Sequence, residues 1–324
     1  MKLGRRLIEE LRVEPGSPAR LGERSTSAIA SPLPGGSDGS GGSGEAGGSG
    51  GPGAPGSGEA RRTVAERDLD AFRAELDSAQ RLLYAADRWA LLVVLQGVDA
   101  AGKDGTIRHV MSGVNPQGCQ VVSFKEPSAL ELRHTFLWRC GAALPERGRI
   151  GIFNRSHYEE VVVVRVHPDL LDAEHLPPRP GDAIPSDGLW RERYEDINGF
   201  ERHLSRNGTR IVKCFLHVSK EEQRRRLLQR LDDPAKQWKF SPSDLQEHER
   251  YAEYQAAYEE ALTATSTRWA PWYVVPADHK PTMRALVGGL IVHEIDRLHL
   301  AMPAPAAEDR PRLDAARRAL GREP

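Results

Sequence analysis

The chain has almost no net charge, and that shortage is informative: 45 Lys and Arg are set against 46 Asp and Glu, leaving −1 over 324 residues. No global field exists to draw in nucleic acid or a membrane surface, so any polyanion has to be held by a local basic patch. Cysteine is also scarce. Cys119, Cys140 and Cys214 are far apart and lack a C-x-x-C spacing. That argues against a disulfide framework or a zinc cage and fits a reducing compartment. Apolar runs of about 18 residues are missing, so no membrane-spanning helix is expected. Lys2, Arg5 and Arg6 open the chain, but Glu9 and Glu10 follow where a secretory signal would be apolar. The expectation is a cytoplasmic protein with no nucleic-acid or membrane partner.

Residues 25–58 have few apolar side chains and are crowded with Gly, Ser and Pro. Such a segment cannot bury enough surface to offset its chain entropy, so it reads as a disordered linker. The resulting division is an N-terminal extension over 1–62, an ordered body over 63–302 and a loose Pro/Ala/Arg-rich tail over 303–324. The first 24 residues suggest a short amphipathic helix without chemistry.

Within the body, Leu69, Phe72, Leu76, Ala79 and Leu83 recur at helical spacing. The run Ala90-Leu-Leu-Val-Val-Leu95 reads as a buried parallel strand. Further strands are expected over 120–124, 149–153, 210–218 and 272–275. Helices are expected over 130–140, 190–204, 220–231, 243–263 and 281–298. Strands alternating with helices imply an α/β protein, a parallel sheet covered on both faces.

The strongest motif is Gly97-Val-Asp-Ala-Ala-Gly102-Lys103-Asp104, a G-x-x-x-x-G-K loop between a strand and a helix. Its glycines turn backbone N–H groups onto phosphate oxygens, the following helix adds its positive dipole end, and the lysine adds a point charge. Gly97, Ala100, Ala101, Gly102, Lys103, Asp104 and Gly105 are therefore the expected phosphate-binding residues. The Ser or Thr whose hydroxyl usually holds magnesium is replaced by Asp104. Asp99, inside the loop, is the expected metal-binding carboxylate, because magnesium prefers carboxylate and water oxygens. Asp104 reads mainly as a first-turn acid complementing the helix dipole. At the end of the 149–153 strand, Asn154, Arg155 and Glu159 should face the loop, since ligands collect at the carboxyl ends of such strands. Arg155 can fork onto phosphate. His157 has no assigned role. A helix carrying Arg224, Arg225, Arg226 and Arg230, followed by a turn-rich stretch with Lys236 and Lys239, reads as a basic lid over about 219–248.

These segments, together with Trp190-Arg-Glu-Arg-Tyr-Glu-Asp-Ile-Asn198, Leu216-His-Val-Ser-Lys-Glu-Glu222 and Trp238-Lys-Phe240, resemble the family-two polyphosphate kinases over about 69–298. The resemblance implies a P-loop three-layer sandwich, thymidylate-kinase-like, with a helical lid. It implies transfer of phosphoryl groups from inorganic polyphosphate to AMP or ADP with magnesium, with GMP and GDP as further acceptors, in a dimer or tetramer. Carried over by position, it makes Asp99, Lys103 and Arg155 catalytic, and Arg226, Arg230 and Lys239 lid contacts to polyphosphate. Glu160, Tyr251 and the pair Pro281-Thr282 depart from the pattern. An ATP-dependent nucleoside monophosphate kinase and a non-catalytic polyphosphate-binding protein are the alternatives.

Overall fold

The computed structural model describes residues 2–27, 29, 57–177 and 187–321. Among them a five-stranded sheet runs in the order β2-β3-β1-β4-β5. Its strands are β1 (Ala90–Gln96), β2 (Cys119–Ser123), β3 (Ile150–Asn154), β4 (Thr209–His217) and β5 (Trp272–Pro276), all paired in parallel. All seven residues of β1 are buried, which is why its sequence is an unbroken apolar run instead of an alternation. Register decides what stands at the carboxyl edge: Leu95 of β1 lies opposite Asn154 of β3, and Ser123 of β2 lies on the other side of Asn154.

The helices are α1 (Arg5–Leu11), α2 (Ser57–Ala86), α3 (Lys103–Val110), α4 (Trp138–Ala142), α5 (Glu159–Val166), α6 (Asp187–Arg206), α7 (Lys220–Asp232), α8 (Ser243–Glu249), α9 (Tyr251–Thr265), α10 (Lys280–Asp296) and α11 (Arg310–Leu320). One group, α2, α3 and α10, packs together; α5, α6 and α9 form another. Leu69, Phe72, Leu76 and Leu83 all turn into the core from α2.

The structure departs from sequence expectation in four places. The helix expected over 130–140 is only a short turn, Glu131–Arg133, followed by α4. Its side chains serve different partners; Arg139, for example, donates to the Lys125 carbonyl and to Glu160. The helix expected over 243–263 breaks at Arg250, which leaves α8 with the lid segment and α9 against α5 and α6. The tail carries α11, which buries no residue.

The fourth departure is the largest. The N-terminal segment, expected to be an extension, is part of the core. Leu3, Leu7, Ile8, Leu11, Val13, Ala19 and Leu21 are buried. Arg12 forms an antiparallel bridge with Tyr273, and the Val13 amide donates to the Trp272 carbonyl at 2.9 Å. The segment thereby covers β5, the edge of the sheet, whose unpaired backbone groups would otherwise be left open. Arg24 holds it in shape by donating to the carbonyls of Glu10, Leu11, Arg12 and Ala19. The linker expected over 25–58 falls mostly outside the described residues; its last two, Ser57 and Gly58, open α2.

Candidate active site

The phosphate loop joins β1 to α3 next to the point where the chain crosses from one side of the sheet to the other, the usual ligand crevice of such folds. Two of its positions require glycine. Gly97 has φ 151° and a Cβ there would lie 2.9 Å from the Leu216 carbonyl oxygen; Gly102 has φ 109°. The Gly97 amide donates to the Tyr258 hydroxyl at 3.2 Å, and that hydroxyl donates to Gln96. Lys103 is buried and folds back over the loop, its Nζ donating to the carbonyls of Gly97 (2.6 Å) and Val98 (3.2 Å). Burial, then the neighbouring Arg155 cation, lower its pKa to about 8.

Asp99 and Arg155 meet across the loop, Nη2 to Oδ1 at 2.5 Å, while Arg155 Nη1 donates to Glu159 at 3.0 Å. Arg155 holds a left-handed backbone, φ 64°, an unfavourable conformation for a non-glycine residue that is fixed by the hydrogen bond its amide donates to the Leu95 carbonyl. Glu159, and then Asp99, raise its pKa despite burial. Asn154 Nδ2 donates to Asp104 Oδ1 at 2.7 Å, and Lys239 Nζ reaches Asp104 Oδ2 at 3.5 Å. Partial enclosure in the cleft works against ionising Asp104, but the Asn154 amide and the Lys239 ammonium hold its carboxyl below the ordinary value. Asp104 is thus both a first-turn acid and a carboxylate facing the cleft, which its sequence position alone did not separate. His157 is buried with Nε2 3.5 Å from Glu201, in agreement with a structural role.

Arg226 differs from expectation. On a helix with four other cations it reads as a lid residue facing the donor, yet it is only 5% exposed. Its guanidinium donates to the carbonyls of Ala100 (3.1 Å), Ala101 (2.7 Å) and Ala277 (2.5 Å) and to Glu222 (2.6 Å). It borders the cleft but is spent on bracing the loop. Arg230 is held by Asp244 at 2.7 Å.

Lys103, Arg155, Arg230 and Lys239 line one cavity of about 880 Å³, with Lys280 and Arg284 on its α10 side. A second cavity of about 490 Å³ adjoins it, and Arg155 lines both. The second is walled by Leu132, Phe136, Val163 and Leu170, with Arg139 and Glu160 among its numerous polar groups. Sequence reasoning did not anticipate this cavity as such, although Arg155 and Glu159, expected at the strand end, line it and Glu160 stood out as a departure from pattern. Burial, then the Glu174 carboxylate, push the Glu160 carboxyl up to about 7 even though Arg139 lies 3.1 Å away.

Among the described residues no group of three or more His, Cys, Asp or Glu could hold a metal ion. Magnesium does not need one: it is commonly held by one or two carboxylates, with waters and substrate phosphates completing the octahedron. Asp99 and Asp104 both line the larger cavity beside Lys103, so the donor set fits such an ion.

Lys280, like Lys103, has its pKa lowered to about 8, by burial first and then by Arg226. Both lysines are cations below that pH and lose their protons as pH rises through it, so attraction for an anion weakens on the alkaline side. We expect the KM for a phosphate donor to be flat with respect to these groups below about pH 7 and to climb above about pH 8. Calorimetry in buffers of differing ionisation enthalpy should detect proton uptake on donor binding near pH 8.5, diminished in Lys280→Met.

The family model for polyphosphate kinase 2 matches residues 59–302. The chain is 52% identical over 245 residues to the ADP-polyphosphate phosphotransferase of Rhodopseudomonas palustris, covering 76% of this chain and 84% of that one. It is 44% identical over 247 residues to the AMP/ADP-polyphosphate phosphotransferase of Meiothermus ruber, covering 76% and 87%. Among solved structures, polyphosphate kinase 2 from Arthrobacter aurescens superposes with a TM-score of 0.70 at 38% identity, over 80% of this chain and 86% of that one.

Proposed function

The chain belongs to the polyphosphate kinase 2 family and is a polyphosphate-dependent nucleotide phosphotransferase; from that premise we propose that it accepts both AMP and ADP, uses magnesium, and transfers the phosphoryl group at Arg155. One observation carries the reading: two cavities of different character share Arg155. The larger, lined by Lys103, Lys239 and Lys280 and holding the phosphate loop, suits a long anionic donor. The smaller, where Leu132, Phe136, Val163 and Leu170 stand among charged and polar side chains such as Lys125, Arg139 and Glu160, offers a nucleoside apolar surface for its base and polar partners for its edges.

In this reading the backbone amides of the loop and the Lys103 ammonium hold the donor phosphates. Arg155 lies over the group in flight, where its charge is matched to charge developing in the transition state. Asp99 and Asp104 would hold the magnesium ion, which when bound neutralises charge on the phosphates. Glu159 keeps Arg155 oriented through its 3.0 Å contact. Acceptance of AMP and ADP is supported by the names of the two relatives. A cytoplasmic location is supported by three free cysteines, each with its thiol pKa raised by burial. No helix among the described residues is long and apolar enough to cross a membrane.

The test is to incubate purified protein with polyphosphate, magnesium and AMP, ADP, GMP or GDP in turn, without ATP, and to resolve the products by chromatography. ADP and ATP should form from AMP, and ATP from ADP. Phosphorylation of AMP only when ATP is supplied would identify a nucleoside monophosphate kinase instead. Binding of polyphosphate without product would identify a non-catalytic binder.

A further inference from the structure

The residues that brace the loop are themselves tied to the N-terminal segment through one side chain, Asp278, in the turn between β5 and α10. Asp278 Oδ1 accepts from the Ser219 amide at 2.8 Å. Ser219 is the N-cap of α7, and its hydroxyl accepts from the Glu222 amide at 3.1 Å. Glu222 in turn fixes Arg226, whose Nη2 also donates to the carbonyls of Ala277 and Asp278 while Nη1 grips the loop. Asp278 Oδ2 accepts from the Thr26 hydroxyl at 2.6 Å, and the Asp278 amide donates to the Thr26 carbonyl at 2.9 Å. Thr26 is on an anchored stretch. The amides of Arg20 and Leu21 donate to Glu259 of α9, and the Leu21 carbonyl lies 3.2 Å from His217 Nε2 at the end of β4.

We propose that Asp278 is a positioning residue for phosphoryl transfer, and that Thr26 of the N-terminal segment holds it so that the first turn of α7 and the Arg226 brace stay in register with the phosphate loop. The physical reason is geometric. One carboxylate spans two elements, Ser219 at the base of the lid and Thr26 on the strap, and its own backbone carbonyl receives the brace. Moving it shifts the start of α7 and loosens Arg226 from the Ala100 and Ala101 carbonyls, the backbone that shapes the donor cradle. The nucleoside cavity is lined mainly by α5, the 124–136 stretch and 167–174, with Ser243 and Glu247 of α8 on its lid side, so most of its wall stands apart from Asp278. A loss of positioning therefore falls on the donor side. The inference rests on the reading that the larger cavity holds the donor.

The experiment measures KM for polyphosphate, KM for ADP and kcat in the full chain, well below each variant's melting temperature. Thr26→Val removes the hydroxyl at nearly constant shape; Asp278→Asn keeps one acceptor. Each should raise the polyphosphate KM about three- to tenfold, the scale of one ordinary hydrogen bond, because the carboxylate acts on the cradle through the brace, with the ADP KM unchanged. Thr26→Ser should restore the wild-type value, and the double variant should be no worse than Asp278→Asn alone, because both act through one contact. Equal rises in both KM values, a loss confined to kcat, or wild-type kinetics in both variants would overturn the proposal. Wild-type turnover with polyphosphate checks the underlying reading separately; if ATP proves to be the donor, the same split is read on ATP.

Discussion

Replacing Lys103 by Ala is expected to remove nearly all phosphoryl transfer while leaving the protein folded. The lysine is buried at the floor of the loop, and its Nζ is held by the Gly97 and Val98 carbonyls. Those carbonyls position the ammonium where donor phosphates would lie, at the positive end of α3. Loss of one such preorganised electrostatic contact costs a factor of about 100 to 1,000 in turnover. The loop itself should survive, because Arg226 still holds the Ala100 and Ala101 carbonyls and Tyr258 still accepts from the Gly97 amide. Initial rates with saturating polyphosphate and ADP, beside a circular dichroism spectrum, make the measurement. A folded variant with near-full activity would remove Lys103 from the active site.

The second large effect is expected at Asp99. A carboxylate inside the loop, lining the same cavity as Lys103, is the best-placed ligand for a divalent ion between the phosphates. Asp99→Asn keeps a hydrogen-bond acceptor for Arg155 but removes the charge that a hard cation requires. Charge neutralisation by the ion is worth several kcal/mol in the transition state, so turnover should fall about 100-fold or more. The fall should be partly recovered at high magnesium. Asp104→Asn should be milder, because Asp104 is exposed and already shared between the Asn154 amide and Lys239. A magnesium titration of initial rate in both variants is the check. Wild-type magnesium dependence in Asp99→Asn, with a shifted one in Asp104→Asn, would move the ion to the other aspartate.

The Asn154 contact changes how a third substitution should be read. Asn154→Asp would set a carboxylate against Asp104 where an amide now donates at 2.7 Å. Two carboxylates at that distance cannot both stay ionised without a cation between them. In the sequence Asn154 stood out only as a strand-end residue expected to face the loop. The pairing with Asp104 joins residues fifty positions apart and arises from the β1–β3 register, which no local pattern encodes.

Other parts were hidden for related reasons. The second cavity draws most of its residues from 124 to 174, a region of short turns and a broken helix, and adds Ser243 and Glu247 from α8, so no periodicity marks its wall. Arg226 resembles its neighbours on α7 because a solvated basic helix and a helix with one buried arginine have the same composition. Only the approach of α7 to the loop makes one cation a brace. The N-terminal apolar residues are few and are followed by a glycine-rich run, so they read as an appendage until the open edge at β5 supplies a partner for them.

What the sequence determined by itself was therefore what short-range chemistry dictates. The continuous apolar run of β1, the glycine spacing of the loop and the lysine after it fix a strand, a phosphate cradle and a helix between Ala90 and Val110, and the motif set extending from them identifies the family. Only the tertiary structure decided which charged groups face the cleft and which brace it, that two cavities meet at Arg155, and that the N-terminal segment reaches the lid through Thr26 and Asp278. Those outcomes depend on strand register and on close contacts between residues distant in the chain. Such contacts are set by the packing of the whole core and leave no trace in local composition.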